Sequence, residues 1–145
     1  APSGVLTKQE PSKEEWLDLE YGYNIACEMG KLDIGQTVIV KSGAVVALEA
    51  IEGTDACIKR AGELTNNKGA VVVKIAKPGQ DMRFDVPAVG METIQSLNLA
   101  GIKTLGIEAG RTLMLDKDTF LKEANSLKMR IIGIDADFLS SKVSP

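Results

Sequence analysis

Hydrophobic positions along this chain recur with two periods, one near 3.6 and one near 2, and the period switches at turns rich in Gly, Asn and Asp. Ala1 to Pro11, carrying Pro2, Gly4 and Pro11, reads as an opening strand or arm. Ser12 with Glu15 three residues on is a capping-box signature. It predicts a helix with Trp16, Leu19, Tyr23, Ala26 and Cys27 on one face, stopped at Gly30. Thr37 to Lys41 and Ala44 to Ala50 are β-rich runs joined by Ser42-Gly43, which is a hairpin pattern. The polar turn Glu52 to Asp55 opens a helix with Cys57, Ile58, Ala61 and Leu64 inward, ended by Asn66 to Gly69.

Ala70 to Ala76 is an apolar run that reads as a buried strand. After it comes Lys77 to Pro87, where two prolines and a glycine hold a non-helical path. Gly90 precedes a short helix with Met91, Ile94 and Leu97, stopped near Gly101. Strands are predicted at Ile102 to Glu108 and, after the turn Ala109 to Arg111, at Thr112 to Leu115. Asp116 is placed as the cap of a last helix with Phe120, Leu121, Ala124 and Leu127 inward. Arg130 to Asp135 is the final strand, and the tail from Ser140 should fray. Helices alternating with strands imply an α/β fold. The expectation is a single domain whose mixed, mostly parallel sheet carries helices on both faces, a three-layer αβα arrangement. The hairpin and the short strand at Thr112 to Leu115 make that sheet mixed.

Composition narrows the chemistry. The chain has 145 residues, which suits one domain with a real core. Its net charge is −3 with no basic run, and aromatic residues are 4%, so nucleic acid is an unsuitable partner. No apolar stretch approaches a membrane span and no signal peptide is visible, so the expected location is the cytoplasm. Cys27 and Cys57 sit in predicted helices among apolar residues and read as reduced core thiols. Histidine is absent altogether, which removes Ser-His and Cys-His schemes and the usual zinc ligand sets.

Three charged turns follow predicted strands: Glu52 to Asp55, Lys77 to Asp85, and Glu108 to Arg111. Ligands of open α/β sheets bind outside the carboxyl ends of the strands. If these strands run parallel, Glu52, Asp55, Asp81, Asp85, Lys77, Arg83 and Arg111 surround one cleft. Gly53, Gly79 and Gly110 would let backbone N–H groups approach a ligand there. Thr54 and Asp55 open a helix, a favourable place for an anion. In an extended Arg83-Phe84-Asp85-Val86 segment, Arg83 and Asp85 share one side and Phe84 and Val86 the other. Carboxylates and cations without histidine suit phosphate chemistry assisted by Mg²⁺ or Mn²⁺, held by Asp85 with Asp55, Glu52 or Asp81. The plain alternative is that these charges cap helices and form solvated ion pairs. No P-loop or dinucleotide fingerprint is present.

Four motifs carry a resemblance. Leu32-Asp33-Ile34-Gly35-Gln36, Glu49-Ala50-Ile51-Glu52-Gly53-Thr54-Asp55, Lys77 to Pro87 and Glu108-Ala109-Gly110-Arg111-Thr112 together resemble the C-terminal half of the LpxI family. Its members are bacterial UDP-diacylglucosamine pyrophosphatases of lipid A biosynthesis. The resemblance runs from about Gly4 to Asp135. It implies cation-dependent hydrolysis of UDP-diacylglucosamine to diacylglucosamine 1-phosphate and UMP, with the family's key acid at Asp85. Thr54, Lys77, Gln80, Arg83 and Arg111 are assigned to the substrate and its phosphates. It also implies an N-terminal Rossmann-like half, absent from this chain, with substrate held between the two halves. The lipid substrate would bring the enzyme to the inner face of the inner membrane. Homodimerisation is left open. Two other readings stand beside this one: a non-catalytic module binding a nucleotide sugar or phospho-ligand, and a structural dimerisation domain. Catalysis requires a divalent cation and one essential acid. Binding alone gives affinity without product, and a scaffold gives neither.

Overall fold

The computed structural model describes residues 1–77 and 87–143. Its main sheet has six strands: β1 (Gly4–Val5), β2 (Thr37–Lys41), β3 (Ala44–Leu48), β4 (Val71–Lys74), β6 (Thr104–Glu108) and β8 (Arg130–Ile134). Their spatial order is β1-β8-β6-β4-β2-β3. β4, β6 and β8 are parallel, with Val72 opposite Leu105 and Leu105 opposite Ile131. β2 is antiparallel to both β3 and β4, so β3 points the same way as the parallel trio. A separate two-stranded parallel ladder joins β5 (Ala88–Val89) to β7 (Leu113–Met114).

Side-chain alternation divides the core into two layers. Val38, Val40, Val71, Val73, Ile132 and Ile134 face α1 (Lys13–Lys31) and α5 (Ala136–Val143). Ile39, Val72, Leu105, Ile107 and Ile131 face α2 (Thr54–Leu64), α3 (Met91–Leu99) and α4 (Lys117–Ser126). The three-layer αβα expectation therefore holds. Val71 to Val73 are wholly buried, as a strand covered on both faces requires.

The capping box that opens α1 is present: Ser12 Oγ accepts from Glu15 N at 3.2 Å, and Glu15 Oε1 accepts from Ser12 N at 3.0 Å. Gly22 lets α1 lie close on the sheet, since a Cβ there would stand 3.0 Å from Val73 Cγ2. Ser42 and Gly43, both at positive φ, close the β2–β3 hairpin, and Asp18 accepts from both of their N–H groups at 3.0 and 2.8 Å.

Four expectations need correction. Leu64 is exposed: it is the last residue of α2, whose buried positions are Cys57, Ile58, Ala61 and Gly62. The strand at Thr112 to Leu115 is shorter and lies outside the main sheet, paired with β5 instead. Asp116 stands at the N-cap of α4 at φ 50° and makes no side-chain cap. The tail does not fray at Ser140: Asp135 Oδ1 accepts from Phe138 N at 2.8 Å and starts a further helix, α5. α5 buries Leu139 and sets Phe138 edge-on to Trp16 at 5.7 Å, so α4 is not the last helix. Cys57 is buried as expected, whereas Cys27 is half-buried.

Two outcomes follow from this packing. Leu139→Ala should lower stability by about 2–5 kcal/mol and shift Trp16 emission to the red, because α5 covers that indole. Unchanged emission and denaturation midpoint would show that α5 does not seal the α1 face. Burial pushes the Cys57 thiol up to about 11. Disulfide-exchange reagents at pH 8 should therefore reach it only through unfolding, while half-buried Cys27 reacts sooner; equal, rapid labelling of both would contradict the packing.

Candidate functional site

The strand directions settle where the charged turns lie. β3, β4 and β6 all end on one edge, so the turns after them share it, together with the start of β2. Close backbone packing holds this edge together. A Cβ on Gly35 would stand 2.1 Å from the Glu49 carbonyl oxygen, so only glycine fits. Ile75 N donates to Gln36 O at 3.0 Å, and Glu49 N to Thr37 O at 2.9 Å.

A cleft of about 490 Å³ opens on this edge. Its walls include Thr54 and Asp55 of α2, Gly90 to Thr93 at the start of α3, and Leu115 and Asp116 before α4. Three helix N-termini therefore converge there; Gly53, Gly90 and Asp116 make no side-chain cap of their own, and at α3 Thr93 Oγ1 accepts from Gly90 N at 3.5 Å. Uncapped N–H groups and the positive ends of the helix dipoles make such a place favourable for an anion. Lys74, the last residue of β4, also lines the cleft. It has the parity of Val72, so it faces the α2–α3–α4 side. Its ammonium is 3.5 Å from the Ala88 carbonyl oxygen, to which it donates. Burial pulls its pKa below the ordinary lysine range, against the opposing pull of Glu49 and Asp55.

Glu49 is buried behind this lysine. Its Oε1 accepts from Gln36 N and from Thr54 Oγ1, each at 3.4 Å. The Thr54 and Thr37 hydroxyls are 3.2 Å apart. The first turn of α2 is thereby tied to the start of β2. Gln36 Oε1 and Thr112 Oγ1, on the same edge, are buried with no hydrogen-bond partner among the described residues.

Of the residues singled out from the sequence, the cleft brings together Thr54 and Asp55. Asp55 Oδ1 accepts from Ser96 Oγ at 3.0 Å. Glu52 is turned elsewhere: it accepts from Ala50 N at 2.8 Å and pairs with Arg60 at 3.4 Å. Lys77 pairs with Asp33 at 3.4 Å, and Arg111, on the turn after β6, is not a wall residue of this cleft. Gln80, Asp81, Arg83 and Asp85 lie outside the described residues. Lys74, Glu49, Glu92 and Asp116 were not among the site residues expected from the sequence. The available signal was that Lys74 is the one charge within the apolar run Ala70 to Ala76.

The donors fit a hard cation by type, being carboxylate and hydroxyl oxygens without imidazole. Among the described residues, no group of three or more Asp, Glu or Cys side chains is placed to hold a metal ion. Of the two described carboxylates of the expected set, Asp55 lines the cleft and Glu52 does not. No described helix is long and apolar enough to cross a membrane.

Residues 2–132 match the family model of the LpxI C-terminal domain. Over 141 residues the chain is 36% identical to the UDP-2,3-diacylglucosamine pyrophosphatase LpxI of Caulobacter vibrioides, an alignment covering 92% of this chain and 50% of that protein. The chain thus spans half the length of that relative. The chain belongs to the LpxI C-terminal domain family.

Proposed function

We propose that this chain is the C-terminal, catalytic-type half of a divalent-cation-dependent pyrophosphatase of lipid A biosynthesis. The reaction adds water across the P–O–P bridge of UDP-2,3-diacylglucosamine and releases UMP and 2,3-diacylglucosamine 1-phosphate. The observation that carries the reading is Lys74, half-buried in a cleft where three helix N-termini meet. A cation so placed costs stability in the free protein, which makes sense where an anion compensates it. The relative's printed name supplies the substrate class.

In this mechanism Lys74 holds a phosphoryl oxygen and offsets the charge that develops on it. The Thr54 and Asp55 N–H groups point at the same anion, and Glu49 fixes Thr54 through its hydroxyl. Asp85 orients the attacking water, and Arg83 flanks the phosphate. Gln80, Lys77 and Arg111 contribute along the rest of the edge. Mg²⁺ or Mn²⁺, held by Asp85 with Asp55 or Asp81, would neutralise phosphate oxygens and favour hydroxide at neutral pH. Glu52 is a weaker candidate ligand because Arg60 and Ala50 N already engage it. The family's N-terminal half would close over the substrate and exclude water. The lipid substrate would hold the enzyme at the cytoplasmic face of the inner membrane.

UMP release should require this chain, an added N-terminal half and Mg²⁺ or Mn²⁺ together; affinity without product would leave a binding module instead. In the reconstituted enzyme, Asp85→Asn should cost orders of magnitude in rate with little change in melting temperature. A near-normal rate in the folded variant would remove Asp85 from the mechanism. Lys74→Met should abolish turnover yet raise the melting temperature at neutral pH. The sign follows from the lowered pKa: the charged form is disfavoured in the fold, so its cost is full below the folded pKa. That cost shrinks as pH rises towards the ordinary lysine value, and the gap between variant and wild type should close. A destabilised Lys74→Met that keeps its activity would contradict both assignments.

A further inference from the structure

Beyond their last paired residues, Lys74 and Ile107, strands β4 and β6 part. The chain leaving β4 is still held on both sides. Ile75 N donates to Gln36 O at 3.0 Å, on the β2 side. Ala76 N donates to Glu108 Oε1 at 3.0 Å, on the β6 side. Ala76 is 3% exposed, so its N–H group needs a partner within the protein. A side chain supplies that partner where the ladder has ended.

The stretch that departs after Ala76 returns at Pro87, whose carbonyl oxygen accepts from Leu113 N at 2.9 Å. The β5–β7 ladder begins there, with Ala88 opposite Leu113. Both anchors therefore come from residues 108–113, the turn after β6. Glu108 also closes that turn, since its carbonyl oxygen accepts from Arg111 N at 3.4 Å and from Thr112 N at 3.2 Å. One residue thus ties the exit of β4 to the turn that receives the returning chain.

Glu108 acts from the far face of the sheet. Along β6, Ile107 belongs to the α2–α3–α4 layer, whereas a Cβ on Gly106 would meet Ile134 and Leu19 of the α1 layer at 3.0 and 3.1 Å. Glu108 has the parity of Gly106. On that face burial first, then Cys27, then the Glu108 and Asp135 carboxylates push the Tyr23 hydroxyl up to about 12. Lys74 projects on the opposite face, and Glu108 is not a wall residue of its cleft.

We propose that Glu108 is a positioning residue: its carboxylate clamps the exit of β4 and, with the Leu113 N–H group, sets the distance between the two ends of the stretch that carries Asp85. This role rests on the pyrophosphatase reading above and adds to it a residue that does not touch the substrate. Misplacing a reacting group by about 1 Å costs about 10²-fold in rate. The clamp needs an acceptor oxygen and no charge, so glutamine can replace the acid and alanine cannot.

The test compares Glu108→Ala with Glu108→Gln by two measurements. One is amide hydrogen exchange at Ala76 in the ¹⁵N-labelled chain. The other is steady-state UMP release by the chain reconstituted with an N-terminal half and Mg²⁺, well below each variant's melting temperature. Exchange at Ala76 should quicken about tenfold in Glu108→Ala and stay near wild type in Glu108→Gln. The alanine variant should lose about 10²-fold in kcat with KM little changed, and the glutamine variant should recover most of that rate. A glutamine variant as slow as the alanine one would show that the charge itself acts in the reaction, and would overturn the positioning role. Unchanged exchange at Ala76, a normal kcat in the folded alanine variant, or a loss that merely matches its folded fraction would overturn it equally. If wild type releases no UMP while exchange at Ala76 still separates the two variants, the clamp stands and the pyrophosphatase reading falls.

Discussion

The register of β4 fixes the chemistry of the carboxyl edge. Val71 to Val73 are buried on both faces between β2 and β6, so the strand has no freedom to slip. Given that register, Lys74 has to project on the side of Val72, towards the helix layer that contains α2, α3 and α4. A slip of one residue would turn its ammonium to the α1 side, away from the cleft. The lysine's lowered pKa is the cost of this placement. The helix N-termini around it belong to the same side of the sheet.

Much of this architecture was legible in the chain. The capping box at Ser12, the Ser42-Gly43 hairpin and the apolar run at 70–76 each couple a short-range rule to a clear period. The prediction that three charged turns share an edge needed only the strand directions, and those follow from crossover helices. Less legible were features that depend on distant partners. β5 and β7 are two residues each and are separated by more than twenty positions, so neither shows a period. α5 is a short helix with Ser140, Ser141 and Lys142 in its second half, and its stability comes from Leu139 and Phe138 meeting α1. Local composition there suggested fraying because the partner surface was not visible.

The site followed the same division. Thr54 and Asp55 were recognisable as the opening of a helix after a strand. Glu52 was recognisable by position alone, but Arg60 and the Ala50 N–H group take its carboxylate. Lys74 is the one charge within the apolar run Ala70 to Ala76 and was not singled out. Its meaning appears only when α3 and α4, from later in the chain, bring their N-termini to the same hollow. Asp85 and Arg83 stood out in the charged turn Lys77 to Asp85 before the family resemblance pointed to Asp85 as the key acid, and both lie outside the described residues. Fold, cleft and family thus bear on the proposed phosphate chemistry by different routes.

The most direct measurement of that claim is a titration of the ¹⁵N-labelled chain with inorganic pyrophosphate in the presence of Mg²⁺, followed by amide chemical shifts. The account predicts that the largest changes fall on Thr54, Asp55, Lys74, Gly90 and Met91. Changes concentrated instead on the opposite edge, around Ser42, Gly69, Lys103 and Arg130, would contradict it.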